Sequence, residues 1–263
     1  MTYERIQFYK EEPVATIVLD APGSFNAMSE PLLRDLCDAL DRCAFDDEIR
    51  VVVLRGAGKA FCAGGDVREM RDGLEEGDAH RLARIVRGTG TAALKIRGLM
   101  KPVIASVHGS AAGAGWSLAL LCDFRVVSEE VRLVEAFAGL GLVPDMGGTY
   151  VLSRYVGLGQ LTEFLMAGGV IDAKRALALG LVNAVVQREE LAMETTSLAH
   201  KLAAMSRSGL AKTKSLINQT LFPDLAQALQ REEEYQGELS QGTDYREGVA
   251  AFMEKRKPDF NRS

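Results

Sequence analysis

The alternation of apolar and polar positions predicts a chain that begins as repeating strand and helix units and ends in helices alone. Val14-Ala-Thr-Ile-Val-Leu19 is a β-branched run closed by Asp20-Ala-Pro-Gly23, the pattern of a strand followed by a turn. Ser29 offers an N-cap with Pro31 just inside the helix, and Leu33, Leu36, Leu40 and Cys43 follow on one helical face. Val51-Val-Val-Leu54 predicts a buried strand ended by Gly56-Ala-Gly58. Strand, helix, strand in that order implies a right-handed crossover and parallel pairing. The unit recurs: a helical stretch from about Gly77 to Leu99, a strand at Val103-Ile-Ala-Ser-Val107, a helix from Gly113 to Leu121 and a strand at Phe124-Arg-Val-Val127. Residues 189–240 are rich in Ala, Leu, Glu, Lys and Gln with few strand formers and read as helices, interrupted at Phe222-Pro223, and Thr243 to Arg256 reads as one more. The expected organisation is an α/β core over residues 1–190 and a helical region over 191–263, which packs or joins subunits through its apolar faces.

Composition narrows the setting more than the function. The chain has 263 residues, 47% of them hydrophobic and 25% charged, so it is long enough to bury a core without a disulfide or metal staple. Its 31 Lys and Arg against 36 Asp and Glu, a net charge of −5, argue against nucleic acid as a partner. No apolar run has membrane-span length, the longest being broken by Gly115, Asp123 and Arg125, and the start Met-Thr-Tyr-Glu-Arg-Ile lacks a secretory pattern. Cys37, Cys43, Cys62 and Cys122 form no C-x-x-C pair, and His80, His108 and His200 are scattered. A reduced cytoplasmic setting and no metal site are expected.

The glycine clusters are the candidate chemistry. A P-loop is excluded because Val53 and Ala60 stand where glycine and Ser or Thr are required. A dinucleotide fingerprint fails at Phe61 and at Leu118. Phe61-Cys-Ala-Gly-Gly-Asp66 and His108-Gly-Ser-Ala-Ala-Gly-Ala-Gly115 each follow a strand and precede a helical segment. Small residues there let a ligand approach main-chain N–H groups, so two such turns can aim two donors at one carbonyl oxygen. Close helix–strand packing also demands small residues, and spacing alone leaves both readings open.

The runs Gly58-Lys-Ala-Phe-Cys-Ala-Gly-Gly-Asp-Val67, Lys101 to Asp123, Gly141-Leu-Val-Pro-Asp-Met-Gly-Gly-Thr149 and Ala173 to Val182 together resemble the enoyl-CoA hydratase/isomerase (crotonase) superfamily. The likeness spans residues 14–190, with a family-like ending at Ala251 to Lys257. It implies a crotonase-like ββα spiral core with a helical C-terminal trimerisation region, and a homotrimer or dimer of trimers. The substrate it implies is an acyl-CoA thioester, with no cofactor besides. It places the oxyanion donors on the backbone N–H groups of Gly65 and Ala114. Ala63, Gly64, Asp66, Trp116, Ser117, Phe137 and Lys255 would then surround substrate or CoA, although Asp66 also fits a helix cap and Trp116 a core position. Lys59 and Arg55 near the first glycine turn, and Phe252 beside Lys255 in the tail, fit CoA contacts or solvated surface.

The departures from that pattern point to the reaction. Hydratases of the family carry two glutamates, and the matching positions here are Ser117 and Phe137. Hydration needs one group to activate water and another to handle the α-proton. Asp145 remains, at a place where isomerase branches of the family carry an acid, the ring-type isomerase of phenylacetate breakdown among them. A lone carboxylate suffices for a 1,3-proton shift, and Phe137, Leu142 and Met146 would desolvate it and raise its basicity. Two alternatives stay open. Glu135, two residues from Phe137 and on the same side of a strand, would serve hydration as a non-standard acid where a local irregularity of that strand re-aims it. In the manner of a dehalogenase branch, Asp145 would be a nucleophile and His108 a base. A catalytically inactive acyl-CoA-binding homologue is the reading from outside enzymology.

Overall fold

The computed structural model describes residues 2–78 and 80–261. Strand β1 (Ile6–Glu11) pairs antiparallel with β2 (Val14–Leu19), Ile6 opposite Leu19 and Glu11 opposite Val14. Helix α1 (Glu30–Phe45) starts where expected: the Ser29 hydroxyl accepts the Leu32 N–H at 3.4 Å, and Leu32, Leu33, Leu36, Ala39, Leu40 and Cys43 are buried. Ser29→Ala should cost about 1 kcal/mol, read from the urea midpoint, because a cap N–H loses its partner. The strands β3 (Val51–Gly56), β4 (Val103–Val107) and β6 (Phe124–Ser128) are buried at nearly every position, on both faces, as interior strands of a parallel sheet are. With β9 (Ala184–Val186) they complete a six-stranded sheet of order β1-β2-β3-β4-β6-β9, parallel from β2 onward.

A second layer runs beside this sheet. The short strands β5 (Ser110–Ala112), β7 (Arg132–Glu135) and β8 (Gly169–Asp172) form a three-stranded sheet, and Cys62 extends it through a bridge to Ala111. The repeat is therefore a large-sheet strand, a short second-layer segment, then a helix. It reads β3, Cys62, α2 (Val67–Glu76); then β4, β5, α4 (Ala114–Leu121); then β6, β7, α5 (Gly148–Leu152). Between the first two repeats lies α3 (Arg81–Gly98), and after the third come α6 (Leu158–Thr162) and α7 (Ala173–Ala178).

The structure departs from the expected elements in three places. The stretch 77–99 is not one helix: Gly77 takes φ 70° as the cap of α2, and α3 begins afresh at Arg81, while residue 79 lies outside the described residues. The strand β1 was not expected, since Ile6 alone of its residues is buried and its apolar pattern is thin. The segment holding Glu135 and Phe137 is not one strand, for β7 ends at Glu135 and Phe137 opens a 3-10 turn.

The C-terminal helices pack on their own chain. Helix α8 (Leu191–Ala203) covers the outer face of the large sheet, with Leu191, Ala199, Leu202 and Ala203 against Val53, Ile104 and Val126. From α9 (Arg207–Leu221), the buried Lys214 donates to Asp123 at 2.7 Å and to the carbonyls of Ile96 and Lys101. Helix α10 (Leu225–Leu239) lies on α3, and α11 (Thr243–Met253) lies on α2 and the turn at 138–140. No helix among the described residues is long and apolar enough to cross a membrane.

Candidate active site

The two glycine turns are stitched together edge to edge. Phe61 N–H donates to the Ser110 carbonyl at 3.0 Å, and Ala112 N–H donates to the Cys62 carbonyl at 3.0 Å. The approach is close enough to need glycine: a Cβ on Gly115 would lie 2.3 Å from the Cys62 carbonyl oxygen. One on Gly64, where φ is +87°, would lie 2.6 Å from the Ala112 carbonyl oxygen and 3.3 Å from the Ala114 nitrogen. Gly65 and Ala114 are thus brought side by side, one just before α2 and the other opening α4. Among the described residues neither of their N–H groups donates to a protein acceptor. Both features that spacing left open are present, tight packing and free donors.

The sequence-expected residues around these turns divide into neighbours and outliers. Phe137 is buried with its ring on Gly113, at the start of α4. Ser117, one helical turn into α4, is buried and bonds the Gly113 carbonyl through its hydroxyl at 3.4 Å. Its hydroxyl would sit 2.8 Å from a Cβ on Gly148, so this position faces the 144–148 turn at close range. Trp116 is buried and lines a small cavity with Leu133, Glu135, Leu152, Phe164 and Ile171. Ala63 is tied to the Phe25 carbonyl at 3.0 Å. Asp66 caps α2 by accepting the Arg68 N–H at 3.0 Å. Lys255 and Phe252 are exposed at the end of α11, and Lys59 and Arg55 are exposed beside the first glycine turn. His108 bonds the Gly58 carbonyl at 3.0 Å, and burial lowers its affinity for a proton.

Asp145 is buried to 5% exposure, and its Oδ1 has no hydrogen-bond partner. Loss of water, and then the negative charge of Glu135, push its carboxyl up to about 7. It is close enough to Cys62 to bear on that thiol, which ties it to the first glycine turn. Glu135 is itself pushed up to about 7 by burial, against the Phe137 N–H that it accepts at 3.1 Å. A carboxyl poised near neutrality and lacking a partner suits proton transfer to and from carbon.

Sequence reasoning missed a third carboxyl in this group. Glu232 of α10 is buried, accepts the Gly147 N–H at 2.8 Å and is pushed up to about 8 by burial, with the Asp145 charge adding to it. The available signal was a polar pair on an apolar stripe: Leu225, Leu229, Glu232 and Gln236 share one buried helix face. All three carboxyls bind a proton more tightly in the fold than in the unfolded chain, where they titrate near 4. Between about pH 4 and 8 the folded chain therefore holds more protons, and their contribution to stability falls as pH rises. Replacing Asp145 with Asn should make the variant gain about 2–3 kcal/mol on the wild type between pH 5 and pH 8, read from urea midpoints.

Comparison with known proteins agrees with this architecture. The family model described as enoyl-CoA hydratase/isomerase matches residues 9–263. The chain is 36% identical over 258 residues to a 1,2-epoxyphenylacetyl-CoA isomerase from Escherichia coli, covering 98% of each chain. It is 34% identical over 261 residues to a crotonyl-CoA hydratase from Syntrophomonas wolfei, covering 99% of each. Among solved structures, an enoyl-CoA hydratase from Mycobacterium avium subsp. paratuberculosis superposes with a TM-score of 0.89 at 31% identity, over 98% of this chain and 99% of that one. The fold is the crotonase fold, and the chain belongs to the enoyl-CoA hydratase/isomerase family of acyl-CoA enzymes.

Proposed function

We propose that the protein isomerises an enoyl-CoA by a 1,3-proton shift through a thioester enolate, with Asp145 as the single acid–base group. The Asp145 carboxylate takes the α-proton of a 3-enoyl thioester, and the C–H electron pair moves onto the thioester oxygen as a conjugated enolate. Backbone N–H groups of Gly65 and Ala114 hold that oxygen, each well-aimed donor being worth roughly 3–4 kcal/mol. The protonated Asp145 then returns its proton to the γ-carbon, the double bond settles between α and β, and the carboxylate is regenerated. No cofactor or metal enters this route. The observation that carries the reading is Asp145 itself, buried, without a partner at Oδ1 and held near neutrality, with Ser117 and Phe137 in place of the glutamate pair.

Incubation with a 3-enoyl-CoA in D₂O should give the 2-enoyl product, read by NMR, with the γ-carbon carrying the abstracted proton or, where the Asp145 carboxyl exchanges with solvent before return, deuterium. Isomerisation retained in Asp145→Asn, or tight thioester binding with neither isomerisation nor exchange, defeats the reading, and the second result marks an acyl-CoA-binding protein without activity. One observation favours hydration of a 2-enoyl-CoA as a second reading: Glu135 lies within electrostatic reach of Asp145. Hydration of crotonyl-CoA abolished by Glu135→Gln and retained in Asp145→Asn would establish it.

A trimer, or a dimer of such trimers, is the assembly we infer, with the helical C-terminal region supplying contacts. Leu216, Ile217 and Leu221 are exposed along α9, a face that monomers seldom leave in water. Light scattering at micromolar concentration should give three or six copies. A cytoplasmic setting is inferred from cysteine usage alone.

A further inference from the structure

Helix α10 grips the loop that carries Asp145 on both sides. Before Asp145, the Gln236 amide donates to the Val143 carbonyl at 2.6 Å. After it, the Glu232 carboxyl oxygen accepts the Gly147 N–H at 2.8 Å. Between these anchors Met146 and Gly147 adopt left-handed conformations, φ 56° and 77°, so the chain turns sharply just past Asp145. Met146 has no conformational excuse for φ above zero, and an outside contact is needed to hold it. Gly147 is also pressed against α10: a Cβ there would lie 3.1 Å from the Leu225 side chain. The helix is a rigid base for this contact, since Leu225 and Leu229 are buried and α10 lies along α3.

A carboxyl group is an expensive way to satisfy one buried N–H. Glu232 sits at 8% exposure on a buried stripe with Leu225, Leu229 and Gln236, where a leucine would pack without that cost. The charged group bearing on it from the loop is Asp145. Glu135, at the end of β7, bears on Asp145 in turn, and Arg87, across from α10 on α3, is committed to Glu233. No cation thus neutralises Glu232 among these neighbours, and its role must lie in the hydrogen bond.

We propose that Glu232 is a positioning residue for Asp145: by holding the Gly147 N–H it fixes the left-handed turn that aims the Asp145 carboxyl at the substrate. This rests on Asp145 being the acid–base group. The turn keeps Asp145 out of water, so Glu232 maintains the raised proton affinity of Asp145 as well as its direction. The acidic group is supplied by the C-terminal helical region, which makes that region part of the active site of its own chain.

The test compares Glu232→Ala with Glu232→Gln, whose carbonyl can still accept the Gly147 N–H. The α-proton exchange of butyryl-CoA in D₂O should fall about 10- to 100-fold in Glu232→Ala through kcat, with KM little changed, as expected for a misaimed base. Glu232→Gln should recover most of that loss. A second readout is independent of catalysis: ¹³C-carboxyl titration of Asp145, assigned by its disappearance in Asp145→Asn. It should move down by at least about one pH unit in Glu232→Ala, where water reaches the carboxyl, and stay in place in Glu232→Gln. Unchanged exchange and unchanged titration in Glu232→Ala overturn the proposal, as does a loss that Glu232→Gln fails to recover. If Glu232→Ala does not fold, the Asp145 titration in Glu232→Gln decides: a fall toward 4 overturns it. Should Asp145→Asn keep full exchange, the base assignment fails by itself, and the titrations still report whether Glu232 holds the turn.

Discussion

Asp145→Asn should lower α-proton exchange by about 10³-fold, the middle of the range for a positioned general base. The thioester should still bind within about threefold of the wild type, because Asn has the same shape and the glycine turns are untouched. The reason for so large an effect is that Asp145 has no understudy with the same placement. Its Oδ1 is a buried carboxyl oxygen left without a partner, while the Glu135 carboxyl is engaged with the Phe137 N–H at 3.1 Å. The pH profile carries the same prediction. A base must be ionised, so wild-type exchange should rise with pH and level off above about 7, the value to which burial and Glu135 bring Asp145. Glu135→Gln removes the neighbouring negative charge, and that rising limb should move to lower pH. Exchange in Asp145→Asn within tenfold of the wild type would refute the assignment.

The Ser117 and Phe137 positions explain why the missing glutamates are not a small change of sequence. Ser117 faces a turn so near that a Cβ on Gly148 would lie 2.8 Å from its hydroxyl, and Phe137 lays its ring on Gly113. A glutamate at 117 would have to displace the same turn that carries Asp145. The lone acid and the small residue opposite are parts of one packing solution, which is why restoring a hydratase pair by Ser117→Glu and Phe137→Glu should damage Asp145 placement first.

How much of this was legible depends on where the information sits. The interior strands β2, β3, β4 and β6 and the helix α1 were readable because burial on both faces, or on one helical face, writes a clear pattern of apolar residues. The glycine turns were readable as chemistry through their small residues, and Asp145 through its place in a recognisable block. Second-layer strands of three or four residues leave no periodicity to detect, so β5 was absorbed into the second glycine turn, β8 was not read, and β7 was read only as part of a strand running on to Phe137. Gly77 was read inside a helix although its left-handed φ ends one. Glu232 escaped for a different reason. It lies 87 positions along the chain from Asp145, beyond any local window, and only the docking of α10 on the core joins them.

Gly64→Ala should injure the other half of the chemistry. At φ +87° an alanine costs about 1–2 kcal/mol in backbone strain alone. Its methyl group would also lie 2.6 Å from the Ala112 carbonyl oxygen and 3.3 Å from the Ala114 nitrogen, both main-chain atoms that no side-chain rotation can move aside. Relief requires the two glycine turns to part, and the Met28 N–H bond to the Gly64 carbonyl at 2.7 Å resists that movement. The expected cost is about 2–4 kcal/mol in the urea midpoint and a loss of about 10²- to 10³-fold in exchange, the value of one misaimed oxyanion donor. Gly23→Ala, where a Cβ meets nothing within 4 Å, is the control and should change neither measurement appreciably. The two active-site variants fail differently, and that difference tests the division of labour. A bound 2-enoyl thioester polarised by the Gly65 and Ala114 N–H groups absorbs at longer wavelength than in water. Asp145→Asn should keep the shift while losing exchange, because the donors remain; Gly64→Ala should lose both. A shift that survives in Gly64→Ala would mean that these two turns do not hold the thioester oxygen.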